Sequence, residues 1–347
     1  MKFFVYIHYK SEQLANQLHF GGNIMCTAIR YCKGDHYFGR NLDLPKGFSE
    51  EVTITPRNYP FHFRNGLHLL HHHAMIGMAT ISGGYPLYYE ATNEKGLSMA
   101  GLNFPGNAVY QPRTACKDNI APFELIPWVL GQCANIREAK ALLGNTAVWM
   151  LPFNREYRLT PLHWFLADRE SSMVAEPMQD GMKLYDDPVG VLSNNPPFPY
   201  HLHNLSNYNG LQAGNREDDF CGLPIRSYSN GMGAFGLPGN FSSAARFVKA
   251  AFVKCTSTSN GTEQSNVSQF FHILNSVAMP RGAVLLEDGE YEITLYSSCC
   301  NTDKGIYYYN TYDNSRVSAV NMHHVNLDAD SLTSYPLRKF PEIFVQN

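Results

Sequence analysis

Met25-Cys26-Thr27-Ala28-Ile29-Arg30-Tyr31, followed after a turn by Gly39-Arg40-Asn41-Leu42-Asp43, is the stretch on which the reading of this 347-residue chain turns. Its first half is strand-like. An antiparallel return from Gly39 carries Arg40 and Asp43 back beside Cys26. A cysteine in a strand is ordinarily a small buried hydrophobe, and an arginine and an aspartate on a hairpin are ordinarily a surface ion pair. Cys26 stands apart because it directly follows a methionine.

Away from this hairpin, strand and turn signals dominate. Glu51 to Thr55 alternates polar and apolar residues and stops at Pro56. Ala74 to Thr80, Pro86 to Ala91 and Leu97 to Leu102 continue the pattern, with Asn93-Glu94-Lys95-Gly96 as a hairpin turn. Helices are expected over Pro122 to Gly131 and over Ile136 to Leu143, the second capped by Asn135 and closed by Gly144. Strands resume at Leu162 to Ala167, Met173 to Glu176 and Met182 to Tyr185. A longer helix begins near Ser242 and a short one covers Gln269 to Ser276. Tyr291 to Ser297 and Gly305 to Thr311 close the chain as strands, while Asn204 to Asn230 reads as loop and Ser257 to Ser268 as polar surface. This order is not the βαβα alternation of a doubly wound sheet. It predicts an α+β domain in which two antiparallel sheets are layered with helices.

Composition excludes several classes. The net charge of −3 leaves no basic footprint for nucleic acid, and no apolar run reaches the roughly 18 residues of a membrane span. The eight cysteines are irregularly spaced and contain no CxxC, which reads as free thiols in a reducing, cytoplasmic compartment. Gly231-Met232-Gly233-Ala234-Phe235-Gly236 fits a dinucleotide-binding glycine pattern, but no strand leads into it. His71-His72-His73 lies in extended sequence, where neighbours point to opposite faces rather than at one ion. At the start, the apolar run Phe3 to Ile7 stops at His8, short of the roughly 7–15 residues of a secretory signal. The 25 residues ahead of Cys26 are expected to be absent from the mature protein, as a propeptide or because Met25 is the true initiator. Gly21-Gly22, whose codons can spell a purine-rich ribosome-binding sequence, favour the second. Residues 26–347 read as one domain.

Removal of Met25 would give Cys26 a free α-amine with a pKa of about 7.7–8.0, beside a thiol of about 8.5. One residue then supplies both a nucleophile and its base, with no histidine required. Arg40 is expected to lower the thiol pKa, and Asp43 to orient the amine.

MCTAIRY, FGRNLD, VTITPRNYPF, NEKGLSMAGLNFPG, PFELIPWVLGQC, PVGVLSNNPPF, GLPGNFSSAARFVKA and YDNSRVSAV run in that order from Met25 almost to the C-terminus. Together they resemble the choloylglycine hydrolases, the bile salt hydrolases and penicillin V acylases of the N-terminal nucleophile hydrolase superfamily. The resemblance implies a four-layer αββα sandwich, commonly a homotetramer, in a bacterial cytoplasmic enzyme that needs no metal or organic cofactor. It implies Cys26 as nucleophile, Arg40 and Asp43 as the pair beside it, and Arg246 as the active-site arginine. It places the Asn103 backbone N–H in the oxyanion hole and takes the side-chain donor from the PVGVLSNNP block, as Asn194 with Asn195 the alternative. The implied partner is a small molecule, a steroid acid joined to glycine or taurine, cleaved through a thioester. Penicillin acylases of this group often carry tyrosine where Asn103 stands, so asparagine leans towards bile salts. A penicillin V acylase and a binding homologue with a blocked nucleophile are the alternatives. Leu44 to Phe48, Phe61 to Leu67 and Asn103 to Tyr110 are the expected pocket walls.

Overall fold

The computed structural model describes residues 25–215 and 221–347. The hairpin forms as expected: strand Cys26–Lys33 turns at Gly34 (φ +71°) into Asp35–Leu44, and the register sets Cys26 opposite Leu42 and Ala28 opposite Arg40. These strands sit within a six-stranded antiparallel sheet whose order is Val191–Leu192, Cys26–Lys33, Asp35–Leu44, Ile293–Asn301, Ile306–Thr311, Ser318–Asn321. A second, eight-stranded sheet runs Gly181–Asp186, Ser172–Met178, Leu162–Ala167, Ser98–Asn103, Tyr85–Asn93, Met75–Ser82, Glu51–Thr55, Thr333–Pro336.

The strands are apolar on both faces because both faces are covered. Phe165 stacks on Phe38 across the central layer at 5.5 Å. Its neighbours Trp164 and Leu166 point the other way, into an outer core closed by Leu125, Val129 and Leu130 of the helix Leu125–Gln132. On the other side, helices Ser243–Thr256 and Glu263–Asn275 bury Phe247, Phe270 and Leu274 over the six-stranded sheet. The result is the four-layer αββα arrangement.

Local chemistry explains the helix starts. Asn135 accepts the Glu138 N–H at 3.0 Å and Ser242 accepts the Ala245 N–H at 3.3 Å. The last helix begins at Glu263, not at Gln269. Thr262 caps it, and the polar run before Gln269 hides a buried face, since the Asn266 side chain donates to Lys33 O at 2.7 Å. The expected loop after Asn204 is likewise shortened, by the end of helix Phe198–Leu205 and a following 3-10 turn; residues 216–220 of that stretch lie outside the described residues.

One buried acid pins the two sheets. Glu90, on the eight-stranded sheet, accepts hydrogen bonds from Tyr296 Oη (2.8 Å), Ser298 Oγ (3.0 Å) and Tyr307 Oη (2.5 Å) of the six-stranded sheet, and lies 3.9 Å from Arg40 Nε. Replacing Glu90 with alanine leaves a buried guanidinium without its counter-ion and three hydroxyls without their acceptor. The expected cost is about 3–5 kcal/mol, read as a lower urea midpoint at unchanged slope, with Glu90→Gln costing less because an acceptor oxygen remains.

Candidate active site

Strands Tyr85–Asn93 and Ser98–Asn103 pair only at Glu90–Ala100, Ala91–Met99 and Thr92–Ser98. Beyond Glu90 they part. Side-chain alternation points Arg40 from the opposing sheet into that opening, where its Nη1 donates to Gly101 O (2.5 Å) and Tyr89 O (3.3 Å), standing in for the missing ladder. The opening is the inner end of a pocket of about 230 Å³, lined at that end by Cys26, Arg40 and Asn103. Its walls are otherwise mostly apolar and aromatic, including Phe48, Phe123, Phe153 and Tyr157, with Glu156 and Arg158 among them. Of the three expected wall segments, Leu44 to Phe48 and the start of Asn103 to Tyr110 do line it. The third does not: Phe61 and Phe63 are buried in the outer core, with Phe63 edge-on to Trp128. Residues 151–153 and 156–161 take its place. That stretch had no strand or helix periodicity to mark it.

Cys26 is 2% exposed. Its backbone N–H donates to Asn194 Oδ1 at 2.7 Å. Arg246, from the helix capped by Ser242, donates to the same oxygen at 2.8 Å and to Cys26 O and Thr27 Oγ1 at 2.5 Å each. Asn194 Nδ2 in turn donates to Asn103 O at 2.7 Å, joining the two expected oxyanion residues. Asn195 points away, to Pro105 O. Of the two asparagines, Asn194 therefore touches the cysteine. Its segment is braced by a residue that sequence did not single out: His163 bonds Ser193 O at 2.9 Å, faces Glu176 at 3.2 Å and stacks on Phe104 at 4.2 Å.

Asp43 lies on the opposite side of the strand from Arg40, accepting from Thr294 Oγ1 at 2.6 Å. Its backbone amide faces the Cys26 sulfur. Burial raises the Asp43 carboxyl to about 6 against the pull of Arg246, Thr294 and Arg40. Arg40 pulls the Cys26 thiol pKa down, as its charge led us to expect. Burial pushes the Cys26 thiol above its ordinary value; Arg40 opposes this but does not outweigh it, and Asp43 adds to the rise.

A further acid, Glu292, completes the site. Its carboxylate accepts the Met25 N–H, and burial first of all raises it to about 8. Among the described residues no group of three or more His, Cys, Asp or Glu side chains is placed to hold a metal ion, and no helix is long and apolar enough to cross a membrane. His72 bonds Tyr59 O while His71 bonds Asn58 Oδ1, so the histidine run is divided between separate partners.

A family model described as linear amide C–N hydrolases, choloylglycine hydrolase family, matches residues 26–335. The chain belongs to the choloylglycine hydrolase family. It is an amidohydrolase with the N-terminal nucleophile hydrolase fold. A bile salt hydrolase/transferase of Lactiplantibacillus plantarum is 50% identical over 324 residues, 93% of this chain and 100% of that protein. A bile salt hydrolase/transferase of Clostridium perfringens is 36% identical, covering 91% and 98%. Among solved structures, a variant of the conjugated bile acid hydrolase from Clostridium perfringens superposes with a TM-score of 0.86 at 34% identity, over 93% of this chain and 100% of that one. Penicillin V acylase from Agrobacterium tumefaciens shares the fold, with a TM-score of 0.69 at 17% identity and coverage of 89% and 90%.

Proposed function

We propose that this amidohydrolase cleaves glycine- or taurine-conjugated bile salts, with Cys26 as nucleophile once the residues before it are gone. The observation that carries the reading is the buried sulfur at the inner end of a mostly apolar pocket, beside Asn103 and the Asn194 carboxamide. A steroid suits the apolar walls, and the scissile amide then falls at the polar end. The free Cys26 amine takes the thiol proton, and the thiolate adds to the amide carbonyl. The Asn103 N–H and the Asn194 side chain hold the oxyanion, each donor worth about 2.7–4 kcal/mol. Asn194 Nδ2 carries two hydrogens, so its bond to Asn103 O leaves one to donate. The protonated amine returns its proton to the leaving nitrogen as the C–N bond breaks, and water hydrolyses the thioester. Arg246 keeps Asn194 and the Cys26 carbonyl in register, and Arg40 and Asp43 fix the two sides of the sulfur.

Names of the relatives favour bile conjugates over penicillin V. Turnover of glycocholate, taurocholate and penicillin V by one preparation tests this. Faster cleavage of either bile conjugate is expected, and faster cleavage of penicillin V would reverse the assignment. A homotetramer is part of the same proposal. Exposed apolar side chains at Leu223, Ile225, Tyr228 and Phe235 support assembly, and light scattering at the monomer mass would remove it.

A further inference from the structure

Glu292 is a buried acid that the reaction outlined above leaves without a task. Its residue is wholly buried, its Oε1 holds the Met25 N–H, and its Oε2 has no partner. Asp43 repeats the pattern: also wholly buried, with Oδ1 on Thr294 and Oδ2 unpartnered. Glu292 thus meets the residue bonded to the Cys26 nitrogen, and Asp43 is near enough to raise the Glu292 carboxyl further.

The charged groups around them are Arg40 from strand Asp35–Leu44, Arg246 from helix Ser243–Thr256, and Cys26 itself. Neither arginine bonds either acid. Arg246 directs its N–H groups to Phe241 O, Cys26 O, Thr27 Oγ1 and Asn194 Oδ1. Arg40 directs its own to Asn41 O, Tyr89 O and Gly101 O, with Glu90 as its ion-pair partner. Two buried carboxyls without a bonded cation are costly as anions, which is why both sit above their ordinary range. The arrangement suits a positive charge that exists only after the peptide bond preceding Cys26 is cut.

We propose that Glu292 is a positioning residue for the Cys26 α-ammonium, turning from the Met25 nitrogen to the adjacent one and holding it together with Asn194 and Asp43. This rests on the reading of Cys26 as an N-terminal nucleophile. The carboxylate keeps the ammonium protonated beside the thiolate, ready to protonate the leaving nitrogen. Loss of that charge lets the ammonium deprotonate at lower pH.

The test uses the chain released at Cys26 from a fusion by a site-specific protease. Glu292→Gln is expected to lower kcat by about 10–100-fold through misplacement of the amine while KM stays within about threefold. The alkaline limb of the kcat/KM profile should move down by about one pH unit. Glu292→Asp keeps the charge, so its alkaline limb should stay where the wild type has it; this variant carries the test if the glutamine form does not fold. A limb that does not move in Glu292→Gln, or a limb displaced equally by Glu292→Asp, overturns the assignment while leaving Cys26 catalysis standing. An inactive wild-type chain beginning at Cys26 overturns both.

Discussion

Cys26→Ala is expected to fold, to bind a conjugated bile salt and to turn none of it over above background. The contacts that seat residue 26 are made by its backbone: the N–H to Asn194, the carbonyl to Arg246, and the pairing with Leu42. An alanine keeps all of them, so the site around the lost sulfur stays assembled. The side chain supplies the only thiol at the pocket's inner end. Removing a nucleophile that acts as one unit with its base costs about 10⁶-fold in kcat in a well-studied protease, and a loss on that scale is the expected result. Calorimetric titration with glycocholate should still report binding, because the aromatic walls are untouched. Amine release at the wild-type rate would refute Cys26 as nucleophile, and loss of binding together with turnover would show that the variant had collapsed the pocket instead.

The sequence made the hairpin and its neighbours legible because their signals are local. Strand alternation, the Asn93–Gly96 turn and the Asn135 cap each lie within a few residues, and the first hairpin alone places Cys26, Arg40 and Asp43 together without reference to anything distant. The resemblance added Asn103, Asn194 and Arg246, and the fold brings Asn194 and Arg246 to the Cys26 backbone, with Asn103 joined through Asn194. What was not legible is what depends on contacts across the layers. Glu90 and Glu292 are ordinary acids in sequence, and only the packing of one sheet on the other, or of residue 292 against residue 25, makes them buried. The net direction of the thiol pKa was not legible for the same reason. Arg40 was visible as a nearby charge, whereas burial of the sulfur, the larger effect, belongs to the finished fold.

Retention of the residues before Cys26 should silence the enzyme as effectively as many a catalytic mutation. With Met25 attached, the Cys26 nitrogen is an amide that donates to Asn194 and cannot accept a proton. The thiol, already raised by burial, has lost its base. The expected penalty in kcat/KM is about 10²–10⁴-fold, measured between the full chain and the chain released at Cys26, with intact mass defining each N-terminus. A full chain whose mass retains Met1 yet turns over at the rate of the released form would dismiss the α-amine as base. Stability gives an independent reading. In the Met25-bearing fold Glu292 titrates at about 8 and Asp43 at about 6, against ordinary values of 4.5 and 3.8. Between those limits the folded state holds protons that the unfolded chain has released, so stability falls as pH rises. It is fully present below the ordinary values and lost through the raised ones. The full chain should therefore melt several degrees lower at about pH 8 than at about pH 5 on account of these two acids. In the released chain the new ammonium lowers both acids' pKa values and flattens that slope. Parallel melting profiles for the two forms would mean that the buried acids do not sense the Cys26 terminus at all.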